Sequence, residues 1–243
     1  MMKAWFSLLA LVCLVACGVP VPRADPQAPR AETPLSASVL QVREGAQVPQ
    51  TRQSFAQIVR RMEPVVEREC RARAPRLNCD FSIRLYDNPR FPPNAFQTLD
   101  EEGRPILGFT SALITDVRNA DELAFVLGHE AAHHIAGHLE RQAQNASLGA
   151  AIFGALAAQS GATAAGVQSA QELGAAVGAR SYSKDFELEA DQLGNVLTAL
   201  SGYDPLIGAA YFSRIPDPGN RFLGTHPPNA ARIAIVQQTA AAL

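Results

Sequence analysis

Four of the five histidines of this 243-residue chain fall in one stretch, "LGHEAAHHIAGHLE", residues 127 to 140, as His129, His133, His134 and His138. Chance supplies roughly 0.005 His-Glu-x-x-His matches in a chain of this composition, so the pattern needs a physical reading. On a helix, His129 and His133 stand one above the other with Cβ atoms about 5 to 6 Å apart, close enough for two imidazoles to hold one ion. Zinc accepts imidazole nitrogen without a ligand-field preference, and its catalytic sites take three protein ligands and one water. Glu130, turned about 100° from His129, stands where its carboxylate reaches that water without binding the ion, the place of a general base. The plainer alternative is a pair of satisfied core histidines. His134 and His138 lie about 140° and 180° from His129 on a continuous helix, and they read as structural or surface residues.

A third ligand must come from elsewhere, and "FELEADQLG" offers Glu187, Glu189 and Asp191. Glu187 and Asp191 are four apart and share a helix face, whereas Glu189, turned roughly 200° from Glu187, looks away. With Glu187 on the metal, Asp191 one turn later is placed to hydrogen-bond a ligand imidazole. An exposed acidic face is the alternative.

The elements that carry these residues are legible from hydrophobic period and caps. Asn119, with Glu122 three residues on, predicts a helix start, and Leu123, Leu127, Ala131, Ile135 and Leu139 continue an i, i+4 stripe, so one helix is expected from about Ala120 to Gln142. Upstream, Phe55, Ile58, Val59, Met62, Val65 and Val66 predict a helix from about Thr51 that Pro64 bends or ends. "CDFSIRLYD" alternates as a half-buried strand, "RPILGFT" reads as another, and a short strand is expected at Ala95 to Thr98. Between Gln142 and Gln171 no residue is charged and Ala and Gly dominate; closely packed helices joined by a Gly-rich turn are expected, with a lipid- or partner-facing surface as the alternative. Further helices are expected from about Lys184 and from Asn229 to Ala241.

A net charge of -2 and a hydrophobic content of 47% fit a globular protein and give no footprint for nucleic acid. "MMKAWFSLLALVCLVAC" has a basic Lys3 and an apolar run too short to span a bilayer, so residues 1–16 read as an export signal. Its end, Leu14-Val15-Ala16-Cys17, looks like a bacterial lipobox, which makes Cys17 the lipidated first residue of the mature chain. Gly18 after it, by resemblance to Gram-negative lipoproteins, implies the periplasmic face of the outer membrane. Residues 17–50, rich in proline and without hydrophobic period, read as a tether. Cys13 would leave with the signal, so Cys70 and Cys79 remain to pair in an oxidising compartment; two buried free thiols are the alternative.

"HEAAH" followed far downstream by "ELEAD" resembles the zinc metallopeptidases related to HtpX, the CAAX prenyl endopeptidases, the mitochondrial Oma-type proteases and the periplasmic BepA- and LoiP-like branch. "NAF" at Asn94 to Phe96, "GFTSALI" at Gly108 to Ile114, "DELAFVLGHEAAH" and "THPPNAARI" at Thr225 to Ile233 follow in that family's order. The resemblance covers about Asp80 to Ile233. It implies an α+β, zincin-like domain over residues 51–243, mostly helical with a small sheet packed on the active-site helix. It implies one zinc ion on His129, His133 and Glu187, with Glu130 as catalytic base and Asp191 behind the ligands, bonded to a ligand imidazole. It also places His226 near the metal, as oxyanion support or as a resting-state ligand, with Arg232 as support. No stretch is long enough for the membrane helices of the HtpX and prenyl-endopeptidase branches, and no room is expected for the helical-repeat module of BepA. The implied activity is an endopeptidase acting on misfolded or unassembled envelope proteins. The partners are an extended polypeptide lying along "NAF" or "ILGFT", the membrane through Cys17, and the outer-membrane assembly machinery. Two rival readings stay open. One is a periplasmic chaperone or assembly factor with a structural or resting zinc site; the other is a zinc hydrolase of cell-wall amides.

Overall fold

The computed structural model describes residues 45, 47–181, 183–219, 221, 224 and 226–243. The export signal, Cys17 and most of the tether lie outside the described residues. At the tether's end the Val48 N–H donates to the Arg118 carbonyl at 2.7 Å, so contact with the domain begins before Thr51.

The first helix, α1 (Arg52–Arg73), starts on a reciprocal cap: the Thr51 hydroxyl accepts from the Ser54 N–H and the Ser54 hydroxyl accepts from the Thr51 N–H. Pro64 neither ends nor replaces it. Its ring sits on the exposed side, while Phe55, Ile58, Met62, Val66 and Cys70 bury the opposite face, and that packing outweighs one lost backbone bond. A disulfide joins Cys70, in the last turn, to Cys79 just before β1.

Three strands follow, β1 (Ser82–Tyr86), β2 (Ala95–Leu99) and β3 (Pro105–Thr110), in the order β1-β3-β2. β3 runs parallel to β1 and antiparallel to β2, and every one of its residues is buried. β2 is therefore an edge, and "ILGFT" is the centre of the sheet. This corrects half of the sequence reading, which offered both segments as the strand beside which a polypeptide lies: a continuous apolar run marks a strand covered on both sides.

After α2 (Ser111–Asp116) comes α3 (Ala120–Ile135), capped by Asn119, whose side chain accepts from the Glu122 N–H at 2.9 Å. Glu122 does not complete the expected box. Its buried carboxylate accepts from the Arg118 N–H at 2.7 Å and binds both terminal nitrogens of Arg214 at 2.6 Å. The helix also stops short of the expected Gln142. Gly137 adopts a left-handed conformation, φ 67°, and a new helix, α4 (His138–Gln159), starts beyond it. A residue without Cβ enters this region at no steric cost, and a glycine just past the last helical turn is a common stop.

α4 and α5 (Ala164–Ser181) form the expected close pair, meeting at Gly149, Gly174 and Gly178, where backbone lies against backbone. Among the described residues the pair packs far more on itself than on its neighbours α3 and α6. Next, α6 (Ser183–Leu200) crosses α3 at two glycines: a Cβ on Gly194 would lie 2.9 Å from the His129 nitrogen, and one on Gly128 2.8 Å from the Gly194 carbonyl. The chain ends with α7 (Pro205–Gly208), a 3-10 turn (Ala209–Ser213) and α8 (Asn229–Ala240). The main core joins α1, the sheet, α2, α3 and α6; a smaller cluster of Phe125, Phe212, Ile233 and Val236 seats α8. The result is mostly helical with one small sheet against α3, and no described helix is long and apolar enough to cross a membrane.

Candidate metal centre

Close contact at Gly128 and Gly194 sets the depth at which α6 meets α3, and that depth brings Glu187 to the two imidazoles. His129 Nε2 and His133 Nε2 are 3.0 Å apart. Glu187 offers one oxygen 3.5 Å from His129 Nε2 and the other 3.3 Å from His133 Nε2. One donor atom from each residue lies within 4.8 Å of the other two. Two nitrogens and a carboxylate oxygen around one point, open to a cleft, are a suitable donor set for a divalent ion that keeps a place for water.

The surroundings favour a positive charge at that point. Burial disfavours a charged His129, but hydrogen bonds to Asp191 and Glu187 outweigh it and push its pKa up to about 10. Burial likewise raises Glu187, yet bonds from His129, His133 and His226 hold its carboxyl well below the usual range. A metal ion would meet the same demand by displacing protons.

Behind His129, Asp191 is fully buried and spends both oxygens. Oδ1 lies 2.9 Å from His129 Nδ1, and the pair of oxygens accepts from Arg232 Nε and a terminal nitrogen, each at 2.7 Å. The Nδ1–H of His129 is thereby used, and its Nε2 lone pair faces the common point. Arg232 is itself buried, stacked 3.8 Å over the Phe212 ring and 3.6 Å from Glu187.

Glu130 projects beside this group into a cavity of about 650 Å³ that Leu113, Val126, Phe212 and Ile215 line on its apolar side. Burial raises the Glu130 pKa against the lowering effect of the two imidazoles. Pro93, Asn94 and Ala95 form another wall, so the start of edge strand β2 borders the same cavity. His226 is more than half exposed, and its Nδ1 is 3.1 Å from Glu187 Oε2.

All the residues expected at the centre are thus assembled, and Cys70 with Cys79 forms the disulfide. His134 is structural, as expected: its Nε2 lies 2.8 Å from the Asn78 carbonyl and its ring meets Phe81 edge-on. His138 is likewise outside the ligand group, but it does not point away from His129 as a continuous helix would have it. The break at Gly137 turns it back so that its Nδ1 is 2.8 Å from His133 Nδ1, and it is buried. Glu189 does look away from the ligand group, and it receives His138 Nε2 at 3.2 Å and Arg141 at 2.7 Å. The signal that marks this arrangement in the sequence is the glycine directly before His138.

A buried His-His-Glu group with a flanking glutamate, on two crossed helices beside a small sheet, is the arrangement of a metallopeptidase. The chain belongs to peptidase family M48, which it matches over residues 52–240. A Vibrio cholerae protein provisionally named a beta-barrel assembly-enhancing protease is 32% identical over 125 residues, a match spanning 49% of this chain and 26% of that relative.

Proposed function

We propose that this protein is a zinc-dependent endopeptidase, held by lipidated Cys17 and the 17–50 tether at the periplasmic face of the outer membrane, which cleaves misfolded or unassembled envelope proteins. The observation that carries the peptidase reading is the convergence of His129, His133 and Glu187 beside Glu130 in one cleft. The signal-like residues 1–16, the lipobox-like end at Cys17, and the relative's name support the envelope setting.

In this zincin-like reading His129, His133 and Glu187 hold the ion, and zinc supplies the Lewis acidity that makes water acidic and polarises a carbonyl. Glu130 accepts the proton of the attacking water, holds it on its carboxylate and passes it to the departing amine. Asp191 keeps the His129 proton on Nδ1, and Arg232 holds Asp191 in place. His226 stands at the rim, where an imidazole can steady the oxyanion. The substrate lies extended along β2, paired by backbone hydrogen bonds.

A second reading, an assembly factor with a resting site, draws on the His226 contact with Glu187. Glu130→Gln separates the two. The peptidase reading expects a variant that holds zinc and folds as wild type but has lost cleavage of an unfolded protein by at least about a hundredfold. A wild type that cleaves nothing, with a variant that still complements a deletion strain, would favour the assembly factor; digestion of peptidoglycan would point to a cell-wall amidase.

A further inference from the structure

We propose that His138 is a positioning residue for the metal centre: its Nδ1 takes the Nδ1–H of His133, and Glu189 takes the Nε2–H of His138, so that His133 presents its Nε2 lone pair to the ion. This rests on the reading of His129, His133 and Glu187 as metal ligands.

The argument is one of proton count. His133 Nε2 is the atom that faces His129 Nε2 and Glu187, at 3.0 and 3.3 Å. A ligand nitrogen carries no proton, so the single proton of a neutral His133 sits on Nδ1. Among the described residues that nitrogen has one hydrogen-bond partner, His138 Nδ1 at 2.8 Å. Two ring nitrogens bond only when one donates and the other accepts, so His138 Nδ1 is bare and its proton lies on Nε2. There, at 3.2 Å, stands Glu189 Oε2, an acceptor. Each assignment forces the next, and the line ends on a carboxylate.

The surroundings hold His138 in this pose. It follows the left-handed Gly137 as the first residue of α4, its ring stacks on Phe186 with centroids 4.6 Å apart, and its side chain is buried. Glu189 is fixed by Arg141 at 2.7 Å, and the Arg141 guanidinium lies over the other partner of the stack, Phe186. His129 thus meets a carboxylate directly through Asp191, and His133 meets one through an intervening imidazole.

The test compares zinc affinity of the full chain, by competition with a chelating dye, for wild type, His138→Phe and His138→Asn. Phenylalanine keeps the ring and the stack without an acceptor; asparagine loses the ring but places an amide oxygen near the Nδ1 position. The expected result is a 10- to 100-fold loss of zinc affinity for His138→Phe, the usual effect of removing an outer partner of a ligand histidine, and recovery of most of it in His138→Asn. If packing alone mattered the order would reverse, and Phe behaving as wild type, or Asn falling as far as Phe, would overturn the proposal. A second readout needs no variant: nitrogen-15 spectra of the zinc-loaded wild type should show the ring proton on Nδ1 of His133 and on Nε2 of His138. Any other tautomer pair overturns this inference and leaves the ligand assignment standing. A wild type that holds no zinc overturns both.

Discussion

Asp191 is the residue on which most of the centre leans. It is completely buried, and one carboxylate serves both His129 and Arg232. Asp191→Ala would take from buried Arg232 its two short hydrogen bonds and leave it, among the described carboxylates, only the longer contact with Glu187 at 3.6 Å, and losing one partner of a buried pair costs about 3–5 kcal/mol. Urea denaturation of the metal-free protein should show that loss, with a much smaller shift for Glu187→Gln, while both variants lose zinc. Tyr211 makes a separate, pH-dependent contribution. Burial and its hydrogen bond to Asp116 raise its pKa well above the ordinary 10, so the folded state binds this proton more tightly than the unfolded one. The resulting stability is fully present below pH 10 and is lost as pH rises above it. Tyr211→Phe should therefore flatten the alkaline limb of a denaturation-midpoint profile. At this scale the sequence was informative where chemistry is local: His129, Glu130 and His133 follow from i, i+4 geometry, and Glu187 and Asp191 from the same spacing on a second helix. His138 was hidden because its direction depends on one glycine's φ rather than on helical phase.

Elements were legible in type, less so in their number, bounds and partners: α2, α7 and the break at Gly137 left no signal that was read. The long helices and the three strands follow from period and caps, but which strand lies between the other two is a long-range outcome that alternation does not carry. With Phe109 wholly buried in the central strand, proline there would break the core rather than test substrate pairing. The edge-strand proposal is better tested from the other side: methylating alternate backbone amides of a peptide substrate should lower kcat/KM by about tenfold per lost hydrogen bond, and methylating those between should change little. The helix crossing makes its own prediction. Gly194→Val would push α6 away from the His129 backbone, costing about 1–3 kcal/mol as an overpacked contact and reducing zinc affinity, although residue 194 touches no donor atom. A variant that loses stability but keeps wild-type zinc affinity would show that the crossing does not set the ligand distance. Neither glycine stands out in the sequence, since close approach is a property of the pair.

Over the whole molecule, the Cys70–Cys79 bond ties the end of α1 to the start of the sheet across a separation of nine residues. Closing so short a loop contributes about 2–3 kcal/mol in the chain-entropy model, so reduction should lower the denaturation midpoint by that equivalent without abolishing the fold.

The hairpin of α4 and α5 has a consequence of its own. It leaves the centre directly after His138 and returns just before Glu187, so the two helices of the His-His-Glu group are joined through an arm about 33 Å long whose contacts with the rest of the described domain are few beside those within the arm. Grip and reach are therefore separable in this protein: trimming matched turns from both arms would bring the tip closer while the root, and the chemistry it frames, stayed as built.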